Sequence, residues 1–157
     1  MAHVRVTAKV DYAVRAAIVL ARAAAEDAGP VKGDRIGEAQ GIPVKYLENI
    51  LSELRQAGIV RSLRGSEGGY WLARPADEVA LADVIRAVEG PLATVRGERA
   101  ESLDYHDGTE ALQEVWVAVR ASLRQVLERV TLGDLVRGEL PDEVRALVAD
   151  PDAWMPH

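Results

Sequence analysis

The stretch from Pro43 to Ala73 leaves the chain little choice of fold. Pro43 suits a first helical position, Leu47, Ile50, Leu51 and Leu54 recur at helical spacing, and Gly58 suits a left-handed cap beyond the last turn. Two short β-prone runs follow at once, Ile59-Val60-Arg61-Ser62-Leu63 and Tyr70-Trp71-Leu72-Ala73, separated by Arg64-Gly65-Ser66-Glu67-Gly68-Gly69. Such runs broken by glycines read as a hairpin with a wide tip.

The flanks supply the helices this unit needs. From Thr7, a candidate N-cap, to about Glu26, apolar residues at Val10, Val14, Ala17, Ile18 and Ala21 mark one buried helical face. Gly29-Pro30 stops that helix, and Val31 to Gln40 reads as a second, with Ile36 and Ala39 inward and Gly41 at its end. Past the hairpin, Pro75 is a stop, Leu81 to Val88 a fourth helix, and Gly90-Pro91 its end. Residues 91–108 read as a charged loop. Thr109 to Val130 reads as a helix roughly 33 Å long at about 1.5 Å per residue. Thr131 and Asp134 form a capping-box pattern for a short helix, and an acidic tail with one more helical turn follows. The predicted fold is mainly α with a small β-hairpin wing. It comprises a winged helix-turn-helix over residues 1–90, a loop over 91–108, a dimerisation helix region over 109–135 and an acidic tail over 136–157.

Composition fits a globular chain: 157 residues, 48% apolar and 28% charged. No run of 18 uncharged apolar residues exists, and Met1 to Asp11 lacks a signal peptide's apolar segment, so the expectation is a cytoplasmic protein away from membranes. There is no cysteine, which excludes disulfides, thiolate metal sites and thiol redox sensing. The net charge of −6 is unevenly spread. Residues 1–74 carry 11 Lys and Arg against 8 Asp and Glu, a net +3, and residues 75–157 carry 8 against 17, a net −9. The basic part is the one suited to a phosphate backbone.

Helix, helix, turn, helix and wing is the order of a winged helix-turn-helix, whose third helix can enter a major groove about 12 Å wide. On that helix Lys45, Tyr46 and Asn49 can donate to phosphates or base edges, and Glu48 can accept from a cytosine amine. A polar outer face alone is ordinary for an amphipathic helix; the wing is more specific. Glycines at a hairpin tip permit close approach to a surface, and Arg64 there can enter a minor groove. Lys9, Tyr12, Arg55, Arg61 and Ser66 complete the expected DNA-facing set. A nucleotide phosphate loop would need its glycines to lead into a helix, whereas these lead into a strand. Gly65-Ser66-Glu67-Gly68 has the spacing of a KH-domain clamp, but that loop joins two helices. A purely structural turn is the remaining alternative.

Tyr46 to Val60, followed by Arg64-Gly65-Ser66-Glu67-Gly68-Gly69-Tyr70, resembles the signature of Rrf2-type transcriptional regulators. The resemblance extends to Lys9-Val10-Asp11-Tyr12-Ala13-Val14-Arg15, to Leu81 through Gly90, and to the long helix, covering residues 1 to about 135. It implies a homodimer in which Thr109 to Val130 crosses its mate and two wings grip a palindromic operator. It also implies recognition-helix contacts at Lys45, Tyr46 and Glu48 and a minor-groove arginine at Arg64. Many members of that family hold an iron–sulfur cluster through three cysteines in the loop after the fourth helix. Leu92 to Gly108 contains none, so no cluster or other cofactor is expected.

Asp104, His106 and Asp107 could offer oxygen and nitrogen to a metal, but three such residues in a polar loop are usually just solvated, and no metal is expected. His3 and His157 carry no functional weight. Leu112, Val115, Trp116, Val119 and Leu123 read as dimer core rather than a ligand pocket, and Trp71 as an anchor of the hairpin on the core. Catalysis is disfavoured: there is no cysteine, His106 is the single internal histidine, and no serine lies in a nucleophile-elbow pattern. Two classes remain, an operator-binding regulator with room for a small-molecule effector at its dimer interface, and a winged-helix module that binds protein.

Overall fold

The computed structural model describes residues 6–157; His3 lies outside them. Helix α1 (Ala8–Ala25) starts where Thr7 accepts a hydrogen bond from the Val10 amide and buries Val10, Ala13, Ala16, Ala17, Leu20 and Ala21. The small residues let α2 (Gly33–Gln40) and α3 (Val44–Gln56) approach closely. Left-handed backbone at Gly41 ends α2, and Gly58, at φ +76°, lies just beyond α3. Pro43 caps α3 rather than opening it, so the helix proper begins one residue later. Ile36 is buried as expected, but Ala39 is exposed, because only Ile36 and Gly37 of this short helix face the core.

The hairpin forms from β1 (Val60–Leu63) and β2 (Gly69–Leu72) in antiparallel register, Val60 opposite Leu72 and Arg61 opposite Trp71. Alternation then decides which side chains go inward. Val60 and Leu72 are buried and Tyr70 packs on the core, whereas Trp71 shares the outer face with Arg61 and stays outside the core cluster. Tyr70, and not Trp71, is the aromatic anchor. Val31, expected to open α2, instead exchanges two 2.8 Å backbone hydrogen bonds with Tyr70 and lays an extended residue along the hairpin.

A short 3-10 turn (Ala76–Glu78) leads to α4 (Leu81–Glu89), which packs on α1 and α3. The following segment is not all loop. A two-residue hairpin, β3 (Thr94–Val95) and β4 (Glu98–Arg99), turns at Arg96 and Gly97, both with positive φ, and runs into a 3-10 turn (Ala100–Ser102). Helix α5 (Leu112–Leu127) is shorter than its apolar pattern at both ends. The chain then returns to the body. The Leu81 amide donates to the Val130 carbonyl and the Leu132 amide to that of Val79, both at 2.9 Å. Helix α6 (Leu132–Arg137) opens with the expected reciprocal capping by Thr131 and Asp134 and buries Leu132 in the common core. The tail is more ordered than one turn: α7 (Asp142–Ala149) and a last 3-10 turn (Pro151–Trp154) follow, with only Val144 buried.

Candidate nucleic-acid interface

The interface is assembled by how α3 divides its residues. Leu47, Ile50, Leu51 and Leu54 go to the core, which turns Lys45, Tyr46, Glu48 and Asn49 to solvent; Tyr46 is 55% exposed. Pro43 offers no side-chain cap, so the first amides of α3 remain open to an external acceptor, the arrangement that suits a phosphate oxygen.

Helix α1 extends this surface. The Tyr12 ring meets Tyr46 edge-on, with centroids 6.1 Å apart, and the Arg15 guanidinium lies 5.0 Å over Tyr12. Arg15 also donates to the Gln40 carbonyl at 2.7 Å, placing a cation at the negative end of α2. One chain of contacts thus fixes α1, α2 and α3 relative to each other. Lys9 is committed within the molecule, donating to Glu53 on α3 at 3.0 Å with both side chains about one-third exposed.

The wing is braced from two sides. Arg55 donates to the Ser62 hydroxyl at 3.3 Å, tying α3 to β1, and Lys32 donates to the Gly65 carbonyl at 2.6 Å, holding the tip. Gly69, at φ +146°, lies so close to Val31 that a Cβ would sit 2.7 Å from its carbonyl oxygen. At Gly68 a Cβ would fall on the Leu63 carbonyl. Both glycines are required by close backbone approach. Arg61, Arg64 and Ser66 are exposed and have no hydrogen-bond or ion-pair partner among the described residues.

Of the sequence-predicted residues, Lys45, Tyr46, Asn49, Arg61, Arg64 and Ser66 are thus open to solvent on α3 and the wing, while Lys9, Tyr12 and Arg55 act first as braces. Sequence reasoning missed Lys32, Glu53 and Arg15, whose roles depend on partners 33, 44 and 25 residues away. In the loop after α4, Asp104 and His106 pair at 3.4 Å on the surface, and no group of three candidate metal ligands occurs among the described residues. With no thiolate in the chain, the donor set does not fit a cysteine-held iron–sulfur cluster.

The profile of the Rrf2 family, described as an iron-dependent transcriptional regulator, matches residues 6–138. A Mycobacterium tuberculosis protein whose name makes it an HTH-type transcriptional regulator is 50% identical over 146 residues, 93% of this chain and 89% of that protein. The HTH-type transcriptional regulator CymR of Bacillus subtilis is 35% identical over 131 residues, 83% of this chain and 88% of its own. Its solved structure, titled as that of the global cysteine regulator, superposes with a TM-score of 0.72 at 32% identity, covering 87% of this chain and 98% of that one. The IscR structure from T. potens gives 0.68 at 33% identity, covering 98% and 93%.

Proposed function

The chain belongs to the Rrf2 family of transcriptional regulators, and on that premise we propose that it binds a palindromic operator as a homodimer and represses by occupying it. Each protomer lays α3 in a major groove, where Lys45 and Tyr46 meet phosphates and Glu48 and Asn49 meet base edges. The wing follows the adjacent minor groove, with Arg64 inserted and Arg61 and Ser66 on its walls. The observation that carries this reading is the row of exposed, uncommitted donors on α3 continuing onto a wing held in place by Val31, Lys32 and Arg55. A preorganised surface of this kind loses little entropy on binding. It also favours DNA over a protein partner, because Lys45, Asn49, Arg61 and Arg64 stand as exposed donors on the face that also shows Val44, Tyr46 and Leu63.

Dimerisation is supported by α5. In its 16 residues nothing is buried within one protomer, and Leu112 and Val115 are exposed on a helix with a clear apolar stripe. Soluble chains rarely leave such a stripe uncovered. Two-fold symmetry then asks for half-sites about 34–36 Å apart or a multiple of it. No helix among the described residues is long and apolar enough to cross a membrane, and we place the regulator in the cytoplasm with its DNA. Its signal does not pass through a thiolate-held cluster.

A salt titration by fluorescence anisotropy tests the assignment. Arg64→Ala should cost about 1–3 kcal/mol on the operator and less on scrambled duplex. Lys45→Ala should weaken both duplexes alike and reduce the salt slope by about one per protomer contact. Operator binding by Arg64→Ala as tight as wild type would remove the minor-groove role.

A further inference from the structure

The acidic half of the chain holds a concentration of positive charge. Between α4, the β3–β4 hairpin and α5 lies a cleft of about 270 Å³ lined by Arg86, Arg99, Arg120 and Arg124 with one carboxylate, Glu101, and the apolar Pro91 and Leu92. Glu128, outside this lining, accepts from Arg86 and Arg124. Four arginines against these two glutamates leave a local charge of +2, inside a segment whose net charge over residues 75–157 is −9.

Ion pairing within the chain does not exhaust these guanidiniums. Glu101 bonds Arg120 and lies 4.0 Å from Arg99. Glu128 accepts from Arg86 at 2.5 Å and from Arg124 at 2.9 Å. Each guanidinium carries five N–H donors in a planar fork, and these contacts use one nitrogen each of Arg86, Arg120 and Arg124 and none of Arg99 at hydrogen-bond distance. Such forks match carboxylate and phosphate oxygens two at a time. The two glutamates pre-orient the forks without neutralising them, and the volume suits a small metabolite rather than a nucleotide.

We propose that this cleft binds a small dianion bearing carboxylate or phosphate groups, and that it is the effector site of the regulator. The second half of the proposal rests on the operator-binding reading above. Its physical basis is position: Arg86 belongs to α4, which packs on α3, while Arg120 and Arg124 belong to α5, whose other face is the proposed dimer contact. A dianion drawing the two sets of arginines together changes the angle between the reading head and the dimer helix.

The test uses the full-length protein and two probes, succinate and inorganic phosphate, with acetate as a monovalent control at matched ionic strength. Isothermal calorimetry and thermal shift without DNA should show one of the dianions binding at least tenfold more tightly than acetate, and which one does so identifies the chemistry. Arg99→Gln and Arg124→Gln alter side chains 67% and 53% exposed, so they should fold normally by circular dichroism and each lose at least tenfold in dianion affinity. Equal binding of all three anions, or undiminished binding by both variants, overturns the site. Operator affinity should shift at least threefold with the dianion in wild type and not in the variants. A dianion that binds yet leaves operator affinity unmoved overturns the effector role. A protein that binds no DNA overturns the operator reading while the calorimetric result stands.

Discussion

Replacing Val115 by aspartate is the sharpest probe of assembly, because the side chain is already 50% exposed in one protomer and the folded monomer has little to lose. A valine burying its remaining half against a partner gains about 1 kcal/mol, half of the roughly 1.5–3 kcal/mol for full burial. An aspartate at the same place forfeits that gain and places a carboxylate against apolar neighbours, at a cost of at least about 2 kcal/mol without a partner. Symmetry counts both terms twice, giving about 6 kcal/mol per dimer, or roughly four decades in the dimer dissociation constant at 1.4 kcal/mol per decade. Sedimentation velocity across nanomolar to micromolar protein measures this directly, and the monomer should lose only about 1 kcal/mol in thermal unfolding, the worth of the half already buried. A variant that dimerises like wild type, or a wild type that is monomeric at micromolar concentration, refutes the assignment of α5. Trp116 is the poorer choice: its indole donates to the Tyr105 hydroxyl at 2.9 Å, so its loss would also loosen the loop beneath α5.

Gly69→Ala should destabilise the wing by about 1–3 kcal/mol, since alanine at this positive φ is strained and its methyl meets the Val31 carbonyl; hydrogen exchange at the Tyr70 amide should rise and operator affinity should fall. Leu132→Ala, at a fully buried site shared by α1 and α6, should cost about 2–5 kcal/mol in chemical denaturation, whereas the same change at exposed Leu147 should cost under about 0.5 kcal/mol. Glu101 is held below its ordinary value by backbone hydrogen bonding and Arg120, and Glu128 by hydrogen bonds from Arg86 and Arg124. Depressed carboxylates stabilise above their unfolded pKa near 4.5 and lose that contribution as pH falls through the folded value. Detachment of α5, followed by Trp116 fluorescence in a Trp71→Phe, Trp154→Phe background, should therefore begin below about pH 4.5, and Glu101→Gln with Glu128→Gln should flatten that acid limb.

The helices and wing of the reading head were legible because each carries its own local signal. Thr7 and Thr131 cap, Gly41 and Gly58 terminate, and the apolar residues of α1 and α3 repeat at the helical period. Strands β3 and β4 escaped notice because two residues cannot display alternation, although Arg96-Gly97 was a turn signal of the right shape. Helix α7 was under-read despite Pro141, Asp142 and Glu143, an ordinary helix-opening sequence, because its apolar face is scarcely used. Within the site the outward residues could be named from periodicity, but not which of them were already engaged. Nothing local tells Lys9, paired with Glu53, from Lys45, which faces solvent. The cleft arginines come from three separate elements, α4, β4 and α5, and converge only through the fold.

The return of the chain at Val130 to Leu132, paired across Val79 to Leu81, gives residues 91–129 the character of a closed detour. They leave at the end of α4 and rejoin at its beginning, so the two ends of the excursion are separated by one nine-residue helix, about 13 Å at 1.5 Å per residue. Closing a loop costs free energy only logarithmically in its length, about 0.6 kcal/mol per doubling. The length of this segment can therefore change with little cost to the folding of the part that meets DNA. On the effector reading proposed above, the segment that lines most of the cleft is a cassette spliced between two fixed points.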